Sequence, residues 1–134
     1  INSNRKTFVI ISDGELNEGS TWESILFASH HKLKNLTIIL DYNKFQSLDR
    51  VKKTIKLEPL INKIKSFNMN VINVNGHNHE DLKKKLGKKS KSKPNFIIAN
   101  TIKGKGVSFM ENKIKWHYKP PNQNQLKAAL KEIN

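Results

Sequence analysis

Short apolar runs alternate with stretches of helical spacing along the whole chain. Thr7–Ile11 (TFVII) is continuously apolar, which predicts a short strand buried on both faces. Ser12-Asp13-Gly14 follows as a turn. A helix is predicted from near Ser20, with Trp22, Ile25, Leu26, Ser29 and Leu33 sharing one face. Leu36–Leu40 (LTIIL) reads as a second buried strand that leaves through Asp41-Tyr42-Asn43. Glu58-Pro59 opens a further helix, with Pro in its first turn and Leu60, Ile61, Ile64 and Phe67 along one face. Val71–Val74 is a third strand, closed by Asn75-Gly76, and Asn78 is a candidate cap for a helix running to Leu86. The Lys/Ser-rich stretch Gly87–Pro94 reads as an exposed connection and Phe96–Asn100 (FIIAN) as a fourth strand. Lys103–Gly106 (KGKG) reads as a flexible loop, and Asn122 to Ile133 as a terminal amphipathic helix.

Strands alternating with helices predict an α/β fold, a parallel sheet with helices on both faces. Residues 1–134 read as one domain, without an internal repeat. Ligands of such sheets bind beyond the carboxyl ends of the strands. Asp13, Asn43 and the KGKG loop each follow a strand directly, so one sheet edge can gather them.

Composition changes this picture little. Absence of cysteine excludes disulfides, thiolate metal sites and cysteine nucleophiles, and leaves the reducing cytoplasm as the expected compartment. No apolar run approaches the ~18 residues of a membrane span, and no membrane association is expected. The net charge of +14 suggests nucleic acid, but all except Arg5 and Arg50 of the 25 basic residues are lysine. Arginine is the residue that reads bases and phosphates bidentately. A solvated basic surface is therefore the expectation, with some attraction for phosphorylated substrates and no nucleic-acid partner.

Asp13 and Asn43 are 30 residues apart, each just past an apolar strand. A hard Mg2+ ion takes oxygen ligands and is usually held by few protein groups plus phosphates. One carboxylate, one amide oxygen and one backbone carbonyl suit that pattern, and Gly14 lets a diphosphate approach the backbone. Taken alone, the two positions read more readily as ordinary turn residues.

The neighbouring residues decide between those readings. Ser12–Ser47 (SDGELNEGSTWESILFASHHKLKNLTIILDYNKFQS) resembles the thiamine-diphosphate signature of transketolases, a GDG followed about 30 residues later by Asn. Thr101–Asn122 (TIKGKGVSFMENKIKWHYKPPN) resembles a second transketolase segment, KGKG-V-x-FME followed by WHG. Glu58–Asn78 (EPLINKIKSFNMNVINVNGHN) is similar to the stretch between them. The likeness runs in order over nearly the whole chain and is nearest to the N-terminal subunits of split transketolases.

The resemblance implies a thiamine diphosphate-binding fold and roles for named residues. Asp13 and Asn43 would be Mg2+ side-chain ligands, and Phe45 would give a backbone carbonyl. Gly14 and Glu15 would lie at the cofactor's diphosphate. His117 would stand near diphosphate and substrate as the catalytic histidine, and Glu18 at the interface with a partner subunit. The implied reaction is two-carbon ketol transfer between sugar phosphates, as in the pentose phosphate pathway. It requires a pyrimidine-binding transketolase C-terminal subunit. An upstream piece of the N-terminal domain is expected as well, so the domain reads as partial. The chain alone is expected to be inactive. Two departures stand out: Ser12 replaces the first glycine of GDG, and Tyr118 replaces the glycine of WHG. Another thiamine diphosphate enzyme (a deoxyxylulose-phosphate synthase or a dehydrogenase component), a non-catalytic remnant and a basic binding module stay open as alternatives.

The other candidate residues read as structural. Trp22 is expected in the core. Of His30 and His31 one is expected to face solvent and the other to pack. His77 and His79 flank a helix start as capping or surface groups, and their spacing argues against zinc. Lys103 and Lys105 are within sequence reach of a phosphate as point charges.

Overall fold

The computed structural model describes residues 5–88 and 90–133. Four strands, β1 (Thr7–Ser12), β2 (Leu36–Tyr42), β3 (Asn70–Asn75) and β4 (Asn95–Asn100), form one sheet in the order β1-β2-β4-β3. All its pairings are parallel. The helices are α1 (Gly19–His30), α2 (Val51–Thr54), α3 (Leu60–Ser66), α4 (His79–Gly87) and α5 (Gln123–Ile133). Single turns of 3-10 helix lie at Glu15–Asn17 and Ile114–His117. No helix among the described residues is long and apolar enough to cross a membrane.

Handedness decides which face each helix covers. The chain moves across the sheet in one direction from β1 to β2 and on to β3, then turns back to place β4 between β2 and β3. Right-handed crossovers put helices before that reversal on one face and the helix of the reversal on the other. The packing agrees. Ile25 of α1 and Leu60 and Ile64 of α3 join Ile11, Ile38, Leu40, Phe96 and Ile98 in the larger core. Leu82 and Leu86 of α4 pack against Val74, Ile97 and Ala99 on the opposite face. β4, flanked by strands on both sides, is buried from Asn95 to Ala99. That is the continuous apolar signature of a central parallel strand.

Helix ends follow local chemistry. Asn78 caps α4 by accepting from the Asp81 N–H at 3.0 Å, as its position suggests. Pro59 stands just outside α3 as its N-cap, not in the first turn.

Several expectations are corrected. β1 is not buried on both faces: Phe8 and Val9 are exposed and Ile10 is 73% exposed. β1 is an edge of this sheet, and nothing among the described residues covers its second face over Ile10. On α1 the buried stripe centres on Ile25 and Ala28, which leaves Leu26 exposed. Ile61 of α3 is likewise exposed. Both His30 and His31 are exposed, His31 stacking on Phe27 with ring centroids 4.2 Å apart. Trp22 packs against the core as expected, and its indole N–H donates to the Leu16 carbonyl at 2.8 Å.

The exits of β3 and β4 meet at Gly76. Its N–H donates to the Asn100 carbonyl at 2.8 Å, and a Cβ there would stand 2.4 Å from Thr101 Cγ2 and 3.1 Å from the Asn100 oxygen. Overpacking of this kind costs about 1–3 kcal/mol. Gly76→Ala is therefore expected to lower stability by about that amount in urea denaturation. Gly19→Ala, at the start of α1 with nothing within 4 Å of its Cβ, is expected to leave it unchanged or raise it slightly.

Candidate functional site

A cleft of about 550 Å³ opens where β1, β2 and β4 end. All seven residues singled out as candidates line it: Asp13, Gly14, Glu15, Glu18, Asn43, Phe45 and His117. Residues from opposite ends of the chain thus reach one place, because the parallel strands all deliver their exits to the same sheet edge.

Asp13 is the centre of the arrangement. It is 1% exposed and accepts the Lys44 N–H at 2.8 Å, a bond that ties the exit of β1 to the exit of β2. Burial pushes its carboxyl up to about 6, and neighbouring Asp41 adds to the rise. The N–H groups of Lys44 and Gly14 and the charge of Lys103 work in the opposite direction without cancelling it. A carboxyl raised by burial and by a second acidic group is the kind of perturbed residue that concentrates at functional sites.

The turn after β2 is shaped around that carboxylate. Lys44 adopts φ +68°, a left-handed conformation costly for a residue with a Cβ. This conformation lets the Asn43 Oδ1 accept from the Phe45 N–H at 2.9 Å while the Lys44 N–H turns toward Asp13. Gln46 closes the turn from below, its Nε2 donating to the Asp13 carbonyl at 3.1 Å and its Oε1 accepting from Asn17 at 2.8 Å. The Asn17 Oδ1 is then a buried acceptor with no hydrogen-bond partner among the described residues.

The loop after β1 is built differently. Gly14 has φ −66°, and a Cβ there would meet only Ser12 Oγ, at 3.7 Å. Neither backbone angles nor packing within the chain explains a glycine, and its open side faces the cleft. The Glu15 carboxylate turns back to accept from the Ser12 N–H at 2.7 Å and hydroxyl at 3.0 Å, so Ser12 is half of a local lock. Glu18 is exposed at the N-terminus of α1.

The third wall comes from residues 101–118. The KGKG segment is not a loose loop. Gly104 has φ +72°, and a Cβ there would lie 2.8 Å from the Met110 backbone. Asn112 N–H donates to the Lys103 carbonyl, and Lys105 pairs with Glu111 at 3.4 Å. Lys103 Nζ lies 3.3 Å from His117 Nδ1. An ammonium only donates, so Nδ1 of a neutral His117 accepts and the ring proton sits on Nε2. Tyr118 adopts φ −116° and ψ −23°, angles open to any residue, and its hydroxyl donates to the Ser47 carbonyl. The missing glycine of WHG therefore costs nothing here.

Asp41, which lines the cleft although it sits inside a strand, escapes a reading of the sequence alone, as do two contacts: Lys103 meets His117, and outside the cleft His77 accepts the Ile102 N–H on Nε2 at 2.7 Å. Only the polar residue ending the apolar run LTIILDY marks Asp41 in advance.

Comparison with known proteins agrees with this geometry. Residues 2–133 match the family model described as transketolase, thiamine diphosphate binding domain. The chain is 40% identical over 132 residues to an apulose-4-phosphate transketolase subunit of Actinobacillus succinogenes, covering 98% of this chain and 48% of that protein. It is 38% identical to a 6-deoxy-6-sulfo-D-fructose transketolase subunit of a Clostridium species, covering 94% of this chain and 46% of that one. It is also 38% identical to human transketolase, covering 96% of this chain and 20% of the human protein. The crystal structure of transketolase from Campylobacter jejuni superposes with a TM-score of 0.90 at 30% identity over 97% of this chain and 21% of that one. The chain thus spans about half of the subunit-type relatives and a fifth of the full-length ones. On the extent of the family match and the shared fold, the chain belongs to the transketolase family, within its thiamine diphosphate binding domain.

Proposed function

We propose that this chain holds the diphosphate of thiamine diphosphate, through Mg2+, as one part of a transketolase that moves a two-carbon ketol unit between sugar phosphates. The observation that carries the reading is the buried carboxylate of Asp13, held against the exit of β2 by the Lys44 N–H. Among the described residues no group of three or more His, Cys, Asp or Glu side chains is placed to hold a metal. The donors present are few and all oxygen, which fits Mg2+ sharing its shell with phosphate and not a zinc site.

In this reading Asp13, the Asn43 amide oxygen and the Phe45 carbonyl hold the cation. Gly14 leaves its open side to a diphosphate oxygen, and Lys103 supplies a point charge. His117, with Nδ1 on Lys103, presents Nε2–H to a substrate oxygen. Bound thiamine diphosphate supplies the electron sink for cleavage beside a ketose carbonyl, and protein supplies position and electrostatics. Two relatives are named as transketolase subunits, which supports a partner polypeptide for this chain, and we assign the pyrimidine-binding half to it. Exposed Glu18 at the cleft mouth is the residue we place against that partner. The proposal keeps the complex in the cytoplasm, with no role for nucleic acid.

Calorimetric titration of the chain with thiamine diphosphate and Mg2+ tests the reading. Saturable heat that requires both, and that disappears in Asp13→Ala, is expected; identical binding by Asp13→Ala would overturn it. The chain without a partner is expected to show no ketol transfer, and turnover by the purified chain alone would refute the partner requirement. Gly14→Ala is expected to unfold like the parent in urea yet to bind thiamine diphosphate about tenfold or more weakly, the scale of one methyl group in a filled pocket. Equal affinity would show that no ligand approaches that backbone.

The raised carboxyl of Asp13 carries a pH signature. Below its ordinary value of 3.8 both folded and unfolded chains hold the proton, and there is no difference. Between 3.8 and about 6 the unfolded chain loses the proton first, so stability falls as pH rises. Above about 6 the folded chain carries the full cost. Asp13→Asn, which keeps an acceptor for the Lys44 N–H, should stabilise the cation-free chain by about 1–2 kcal/mol at neutral pH, allowing for solvent screening. Urea denaturation should show that gain shrinking to nothing toward the acid end of the window. Cation affinity should move oppositely, weakening as pH falls through about 6 because the metal must displace a proton.

A further inference from the structure

Asp41 has no part in the assignments above, yet it stands in the same cleft. It is the next-to-last residue of β2, in register with Ser12 on one side and Ala99 on the other. One of its carboxylate oxygens accepts the Thr101 hydroxyl. The other accepts Nδ2 of Asn43 at 3.4 Å. Across the same amide, Asn43 Oδ1 accepts the Phe45 N–H at 2.9 Å.

These two partners remove the ambiguity of an asparagine amide. A carboxylate only accepts and a backbone N–H only donates. Turned over, the amide would face its NH2 to the Phe45 N–H and its carbonyl oxygen to the Asp41 carboxylate, two repulsive contacts. In the observed sense Oδ1 keeps a second lone pair beyond the one used by Phe45. Thr101 holds Asp41 in its turn, and Thr101 packs where a side chain on Gly76 would collide with its methyl. We infer that Asp41 is a positioning residue that selects which atom Asn43 presents to the cation, through the relay Thr101–Asp41–Asn43. The inference rests on Asn43 being a cation ligand, and the experiment separates failure of the one from failure of the other.

The full chain is titrated with Mn2+ in the presence of thiamine diphosphate, with bound metal counted by electron paramagnetic resonance and folding checked by circular dichroism. Asp41→Ala is expected to weaken Mn2+ about tenfold, the scale seen when partners of metal ligands are lost. Asp41→Asn, which can still accept from Asn43, should stay within about threefold of the parent. Thr101→Val, which frees Asp41 without removing it, should show an intermediate loss and serves where Asp41→Ala does not fold. The deciding variant is Asn43→Asp. A carboxylate presents oxygen either way round, so Asp41→Ala should no longer weaken Mn2+ in that background. A loss as large in Asp41→Asn as in Asp41→Ala, or one that persists beside Asn43→Asp, would show that Asp41 acts by charge and overturn the positioning role. No loss in Asp41→Ala would overturn it as well. No saturable Mn2+ binding by the unmodified chain, or full binding by Asn43→Ala, would instead overturn the reading of Asn43 as a ligand.

Discussion

A carboxylate taken out of water at the exit of β1 organises this protein. Asp13 is among the most deeply buried side chains, and the bond it accepts from the Lys44 N–H is what makes one site of two loops. The turn at Lys44 accepts left-handed backbone angles to give that N–H, and Gln46 and Asn17 brace the turn from behind. Desolvation of a charge is unfavourable, and a second acidic group beside it makes it more so. A fold that keeps such a group has a use for the field it creates.

The sheet explains why the field lies where it does. Parallel strands linked by right-handed crossovers bring every strand exit to one edge. The reversal between β3 and β4 sends α4 to the opposite face and places β4 beside β2. That neighbour relation brings Thr101 to Asp41 and Lys103 into the cleft, although 60 residues separate Thr101 from Asp41. The chemistry of the exits is thus a consequence of strand order. The exposed apolar side chains of β1 belong to the same account, because that strand lies at the sheet's edge.

The site separates residues that shape it from residues that face a ligand. Glu15 and Ser12 bond to each other, and Gly104 and Gly76 make room for neighbouring backbone and side chain. Gly14 makes room for nothing among the described residues. A glycine needed neither for its angles nor for packing is a better guide to ligand approach than one held by either.

Much of this was open to reading from residue order alone. Apolar runs located the four strands within a residue or two, and in central β2 and β4 the run is continuous because a parallel strand flanked on both sides has little polar face to show. Asn78 marked the start of α4, because capping is settled within three residues. Asp13 and Asn43 stood out because each is polar immediately after an apolar run, and the motifs around them joined them to one family. What the order of residues left undecided depends on contacts between distant segments. The exposure of Phe8 and Ile10, the turning of Leu26 and Ile61 to solvent and the exposure of both His30 and His31 follow from which neighbours each face receives. The pairing of Lys103 with His117, the anchoring of Tyr118 on Ser47 and the place of Asp41 beside Asn43 follow from strand order. Periodicity reports how a segment divides its own faces between apolar and polar, whereas the partner that meets each face is chosen only when the sheet is assembled.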